Sequence, residues 1–151
     1  MSIQWDLSKL VDKKYAHLSP KDILKLPISA IRGISENDEE LLDKALGIKT
    51  VGDLANNKYV TVAQAIVMLA PFWEKALDKE WEKKSPIELA NAPVNALSGI
   101  TPEDRELLKK ALNIETIQDL ASNRLIMFAQ AIKALAYLQD LLEEAEKELK
   151  E

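Results

Sequence analysis

The sequence predicts an all-α protein of two tandem helical repeats linked by a long helix, and three observations carry that prediction. Residues 19–70 and 85–136 align without a gap at a constant offset of 66, and about half of the paired positions are identical. Glycine is scarce, four residues in 151, against abundant Ala, Leu, Lys and Glu, which favours helix over strand and turn-rich folds. Apolar residues recur at helical spacing in both copies, as in Leu41, Leu42, Ala45, Leu46 and in Leu107, Leu108, Ala111, Leu112. Duplication at this period implies stacked units that share one core, and 151 residues suffice for two small units but leave each alone marginal.

The elements follow in chain order. Residues 1–18 are expected to form an N-terminal capping helix, because Leu7, Val11 and Tyr15 make an i, i+4, i+8 apolar stripe. A shift of 66 lands on Trp73, Leu77 and Trp81, and a second shift on Gln139, Glu143 and Lys147, where the stripe turns polar as the outer unit of a capped array requires. Residues 19–84 form repeat 1, and residues 85–151 form repeat 2 with a long C-terminal helix. Each opens on Ser-Pro (Ser19-Pro20, Ser85-Pro86), an N-cap followed by a first-turn proline. Ser35 with Asp38, and Thr101 with Asp104, have capping-box form at the next helix, which ends at Gly47 or Asn113, the residue types that best tolerate a left-handed C-cap. Thr50 and Thr116 start a short helix, and after Asn57 and Asn123 the pattern lengthens into a helix of about twenty residues or more. Pro71 is expected to kink the first long helix or bound its halves. Phe72, Trp73, Trp81 and Tyr15 fall on apolar stripes and are expected mostly in the core.

Composition narrows the chemistry. The absence of cysteine excludes disulfides, thiolate metal sites and thiol nucleophiles, and the lone His17 has no visible partners for a metal site or a catalytic relay. A net charge of −5 offers no general attraction to phosphate backbones or anionic membranes. Acidic runs are interleaved with Leu, Lys and Ala at helical spacing and read as solvated faces. There is no Gly-rich phosphate loop or nucleophile elbow. The expectation is therefore no enzyme, no cofactor and no metal. No apolar run looks long enough to span a bilayer, and the opening Met1-Ser2-Ile3-Gln4-Trp5-Asp6 lacks signal-peptide character, which points to the cytoplasm.

The stretches Ile28-Ser29-Ala30-Ile31-Arg32-Gly33-Ile34-Ser35 and Val94-Asn95-Ala96-Leu97-Ser98-Gly99-Ile100-Thr101 resemble the helix-hairpin-helix family and the wider group of SAM-like helical domains. The continuation from Leu46 to Ala55 has the same resemblance. It implies two SAM-like, helix-hairpin-helix-like repeats with hairpin turns at Gly33, Ile34, Ser35 and at Gly99, Ile100, Thr101. In that family the backbone amides of two hairpin glycines approach DNA phosphates. Gly33 and Gly99 match the first glycine, whereas Ser35 and Thr101 replace the second, and carboxylates follow at Glu36, Asp38, Glu103 and Asp104.

The function expected is a non-catalytic protein-interaction or assembly module, with a protein partner or self-association. Leu135, Leu138, Leu142, Ala145 and Leu149 step by 3 and 4 and make a coiled-coil-type seam that either folds back on its own repeat or dimerises. One rival is a nucleic-acid-associated protein, which would gather Arg32, Lys49, Lys58 and Arg124 on one face; the pairing of Arg32 with Ser98 and of Lys49 with Glu115 preserves no duplicated basic stripe. The other rival binds a small apolar ligand in an enclosed pocket lined by Met68, Phe72 and Trp73.

Overall fold

A computed structural model describes residues 4–76 and 85–150, and among these the regular structure is helical, with isolated bridges in place of strands. The helices are α1 (Pro20–Leu24), α2 (Glu36–Leu46), α3 (Val51–Ala55), α4 (Lys58–Ala76), α5 (Pro86–Ala90), α6 (Pro102–Leu112), α7 (Ile117–Ser122) and α8 (Arg124–Lys150). The order α1–α4 recurs as α5–α8 at the sequence offset of 66 residues. Trp73 lies in α4 but its side chain, together with Leu77 and Trp81, falls outside the described residues.

Local chemistry sets the boundaries. The Oγ of Ser19 and of Ser85 accepts from the backbone N–H of Asp22 and of Glu88, each at 3.3 Å. Four reciprocal capping boxes start α2, α3, α6 and α7, formed by Ser35–Asp38, Thr50–Asp53, Thr101–Asp104 and Thr116–Asp119. Gly47 (φ 67) and Asn113 (φ 57) end α2 and α6 in the left-handed conformation. Asn57 and Asn123 cap the long helices, each through an Oδ1 that accepts two backbone N–H groups. The helix α4 continues through Pro71 to Ala76, and Pro71 is exposed there, so the donor that it lacks is one that would bond on the solvent side.

Each copy folds its short helices around one hairpin, and the long helices then exchange. In the first copy Ile28 N–H donates to Lys49 O and Val51 N–H to Leu26 O, which ties the Ile28–Ala30 turn to the start of α3; Val94, Glu115, Ile117 and Ala92 repeat the arrangement in the second. The helix α4 packs on α5 and α7 of the second copy, α8 packs on α1 and α3 of the first, and α2 lies against α6. The contacts thus have the reciprocity of a twofold axis. Matched pairs fill one continuous core: Ile28 and Val94, Leu42 and Leu108, Ile48 and Ile114, Leu54 and Leu120, Val60 and Ile126, Ala63 and Ala129. The alanines let α4 and α8 approach their neighbours closely.

Two expectations need correction. Residues 1–18 are not a capping helix: among those described, only Lys13–Tyr15 form a 3-10 turn, and the rest is turn and extended chain. Asp6 Oδ1 accepts from Ser8 N–H, a local bond that competes with helix, and the backbone pairs with the first hairpin instead. Asp12 N–H donates to Ala30 O, Arg32 N–H donates to Leu10 O, and Val11 bridges Ile31. The segment still covers the core, with Val11 fully buried and Leu7 nearly so, and Tyr15 packs against it. Phe72, placed in the core by its stripe, is 69% exposed. The core face of α4 is supplied by Val60, Ala63, Ile66 and Val67, and Phe72 lies on the other side.

Candidate interaction surface

The hairpin turns carry the residues that the resemblance singles out, and the exchanged helices cover them. Gly33 (φ 103) and Gly99 (φ 100) hold backbone conformations that side chains rarely adopt. The space where a Cβ would project from Gly33 is closed by Leu125 at 3.0 Å, and that at Gly99 by Tyr59, whose ring carbons stand at 3.1 Å and whose hydroxyl is closer. Leu125 and Tyr59 are equivalent residues in the first turns of α8 and α4. Ile34 and Ile100 are buried beside them. In the next turn, Asp38 accepts from Ser35 N–H and Asp104 from Thr101 N–H, so carboxylates sit where free amides would hold an anion.

The four basic residues fall at three places. Arg32 donates from its guanidinium to Ser8 O at 2.8 Å, and the Gly33–Leu125 contact brings its turn to the head of α8, where Arg124 lies over the Phe128 ring. Lys58, over the Tyr59 ring, borders a small open hollow with Leu97 and Ser98 at the second hairpin. Lys49 lines a cleft of about 410 Å³ among Glu39, Glu40 and Asp43. That cleft adjoins a wider one of about 830 Å³ between the 12–15 segment and the head of α2, bordered by Asp12, Glu36, Glu39, Glu40 and Lys14. Glu39 is committed structurally, accepting from Ser29 N–H at 3.0 Å. Among the described residues no group of three or more His, Asp or Glu is disposed to hold a metal ion.

The outward faces of the long helices are apolar. On α4, Met68 and Phe72 are 67% and 69% exposed, with Val62 and Leu69 about half exposed. Met68 borders an open hollow of about 230 Å³ with Gln64, Val67, Ala121 and Ser122, so Met68 and Phe72 do not wall an enclosed pocket.

On α8 the inner residues Ile126, Ala129, Ile132 and Ala136 are core, and the outer residues Met127, Ala131, Ala134, Leu138, Leu141 and Ala145 form an exposed line stepping by 3 and 4. Of the seam read from the sequence, Leu135 turns inward against the core, while Leu138, Leu142, Ala145 and Leu149 face out. The inner face rests chiefly on α1 and α3 of the first copy. Lys21 on α1 fastens it further: its Nζ is 2.6 Å from Asp140 and its backbone N–H donates to Gln139. The hydrogen bond that Lys21 donates to Asp140, and then the charges of Asp140 and Glu143, hold the lysine above its usual range.

Contrary to the expectation from sequence, α8 contains an 18-residue stretch apolar and long enough to cross a membrane. The reason is that one helix carries both a core face and an exposed apolar face. Sequence reading missed this outer line because Met127, Ala131 and Ala134 lie in the part of α8 assigned to the core by its identities with α4.

No protein-family model matches the chain, and no curated protein or solved structure matches it at significant similarity.

Proposed function

We propose that the chain is a non-catalytic protein-interaction or assembly module, built from two SAM-like, helix-hairpin-helix-related repeats. The observation that carries this reading is the apolar outer surface of the long helices, Met68 and Phe72 on α4 and Met127, Leu138 and Leu141 on α8, which the fold leaves in solvent. Single exposed leucines are ordinary, whereas apolar residues aligned along whole helix faces mark contact surfaces. The hairpins support the same reading from the other side. Their glycines are committed to packing under Leu125 and Tyr59, and their helix starts are occupied by Asp38 and Asp104.

The test is affinity capture with the native chain beside two folded variants, Met68→Glu/Phe72→Glu and Leu138→Glu/Leu141→Glu, with circular dichroism as the control for folding. The reading expects at least one species held by the native chain, or self-association of the native chain, to be lost from one variant. Retention of every species by both variants, with no change in mass, would remove it.

A further inference from the structure

We infer that the partner of the α8 face is a second copy of this chain, paired antiparallel through the outer line Met127, Ala131, Ala134, Leu138, Leu141 and Ala145. The inference rests on the interaction-module reading and gives it an occupant. Three features point to it.

The line follows a 4, 3, 4, 3, 4 spacing, the period at which helices pack along a seam, and from Met127 to Ala145 it runs about 27 Å at 1.5 Å per residue. It lies on the side of α8 away from Ile126, Ala129, Ile132 and Ala136, so two such helices can meet with their bodies on opposite sides. Three alanines among the large residues permit close approach, and pairing centred near Leu138 sets Leu138 and Leu141 of each copy against those of the other.

Charge decides the direction. From Arg124 to Gln139 the helix carries Arg124 and Lys133 and no carboxylate; from Asp140 onward it carries Asp140, Glu143, Glu144, Glu146 and Glu148 against Lys147 and Lys150. A parallel pair would lay one acidic end on the other, whereas an antiparallel pair lays each acidic end on a stretch whose one charge is Lys133. By helical geometry Glu144 flanks the seam and Lys133 lies further round the same side of the helix, and neither holds an ion pair among the described residues. In the antiparallel arrangement Lys133 of one copy comes beside Glu144 of the other, and the contact is made twice by symmetry.

The experiment is light scattering of the full chain across a concentration series, at about 50 and about 500 mM salt, ionic strengths that bracket a Debye length of ~8 Å. A monomer-to-dimer rise in mass is expected for the native chain. Leu138→Glu/Leu141→Glu should remain monomeric with its helical signal retained. Lys133→Glu should weaken the dimer at low salt, and Lys133→Glu/Glu144→Lys should restore it.

Because the chain has no cysteine, introduced thiols report direction. Leu138→Cys should cross-link between copies under mild oxidant, whereas Leu149→Cys should not. A native chain that stays monomeric throughout, a dimer that survives Leu138→Glu/Leu141→Glu, or efficient cross-linking through Leu149→Cys would each overturn the inference. So would a monomer that sediments with neutral phosphatidylcholine vesicles, which would make the face a membrane contact. A monomer that still captures another protein through Leu138 and Leu141 would overturn self-pairing while leaving the interaction-module reading intact.

Discussion

Gln64 and Gln130, equivalent residues 66 positions apart, hydrogen-bond to each other in both directions: each Nε2 donates to the other's Oε1, at 2.9 and 3.0 Å. Such an exchange sets the two equivalent residues face to face, as the twofold relation between α4 and α8 brings them. The amides are half-buried, and the Gln64 Nε2 also donates to Ala121 O at 3.2 Å. Loss of one side chain leaves the other amide with unmet hydrogen-bonding capacity away from bulk water. Gln64→Ala and Gln130→Ala are each expected to cost about 1–2 kcal/mol in urea denaturation. The double variant should cost less than the sum, because the second deletion removes a group already orphaned. Strict additivity would mean that the pair contributes nothing as a pair.

The covered hairpin glycines make a second, asymmetric prediction. Any side chain at Gly33 or Gly99 meets an unfavourable φ and a neighbour from the exchanged helix, and the neighbour at Gly99 is the rigid ring of Tyr59, where Gly33 faces the more adaptable Leu125. Both Gly33→Val and Gly99→Val should lose more than about 1 kcal/mol, with Gly99→Val the worse. Adding Tyr59→Leu to Gly99→Val should recover the difference between the two sites and no more, because the backbone conformation stays unfavourable. A melting temperature for Gly99→Val equal to that of the native chain would remove this account of the hairpins.

The same cover bears on nucleic acid. With Leu125 and Tyr59 over the glycines and Asp38 and Asp104 on the helix starts, phosphate meets no open cluster of amides at either hairpin. Fluorescence anisotropy with labelled duplex DNA at about 150 mM salt, where the Debye length is ~8 Å, should show no micromolar binding. Binding that is micromolar and weakens steeply with salt would reinstate the basic residues Arg32 and Arg124 as contacts.

Two ionisable groups give the pH dependence a sign. Asp53 in the α3 capping box is held below the usual 3.8, chiefly by the hydrogen bond from Thr50 N–H and also by that from Lys49 N–H. Its folded-state pKa is depressed, so its contribution is present above the unfolded value and is lost as pH falls through the folded one. Lys21 is held above the usual 10.5 by Asp140 first, so its contribution is present below that value and is lost as pH rises beyond it. Thermal melts of Asp53→Asn should therefore flatten the acid limb below about pH 4, and those of Lys21→Met the alkaline limb above about pH 10. Limbs identical to the native ones would show that neither contact differs between the folded and unfolded states.

Much of this was legible in the chain. Capping residues such as Ser35, Asp38, Thr50 and Asp53 act within four residues, so spacing alone locates the starts of α2 and α3. Gly47 and Asn113 were readable as C-caps for the same reason. The partner of α8 was not. Ile126, Ala129 and Ile132 announce a core face, but nothing in their spacing says whether that face meets α5 and α7 or α1 and α3. The N-terminal segment failed differently: Leu7, Val11 and Tyr15 have helical period, yet between them Leu10 O accepts from Arg32 N–H and Asp12 N–H donates to Ala30 O, a long-range pairing without periodic signal. The outer line of α8 was hidden by the strength of its inner one.

The exchange of α4 and α8 leads to a prediction about the first copy alone. In the whole chain α1, α2 and α3 are completed by α8 and by contact with α6, neither of which belongs to the first copy, while α4 serves α5 and α7. A fragment of residues 1–84 therefore has a long helix and the surface that such a helix covers, but in the arrangement seen here the two belong to different units. Two fragments can satisfy each other. The first thirteen residues of α4, from Lys58 to Ala70, match Arg124 to Ala136 of α8 in every fully buried position, with Val60 for Ile126 and Ala63 for Ala129. At the hairpin Tyr59 would have to take the place of Leu125 over Gly33, a larger residue but the one that already covers Gly99. The fragment is expected to be a domain-swapped homodimer with the twofold relation of the native chain, and with Gln64 of one copy bonded to Gln64 of the other. Its melting temperature should rise with concentration, as for any fold completed by association. A fragment that is monomeric, cooperative in denaturation and insensitive to concentration would show that α4 can close on its own helices, and the exchange would then be a choice of connection, not a requirement of the core.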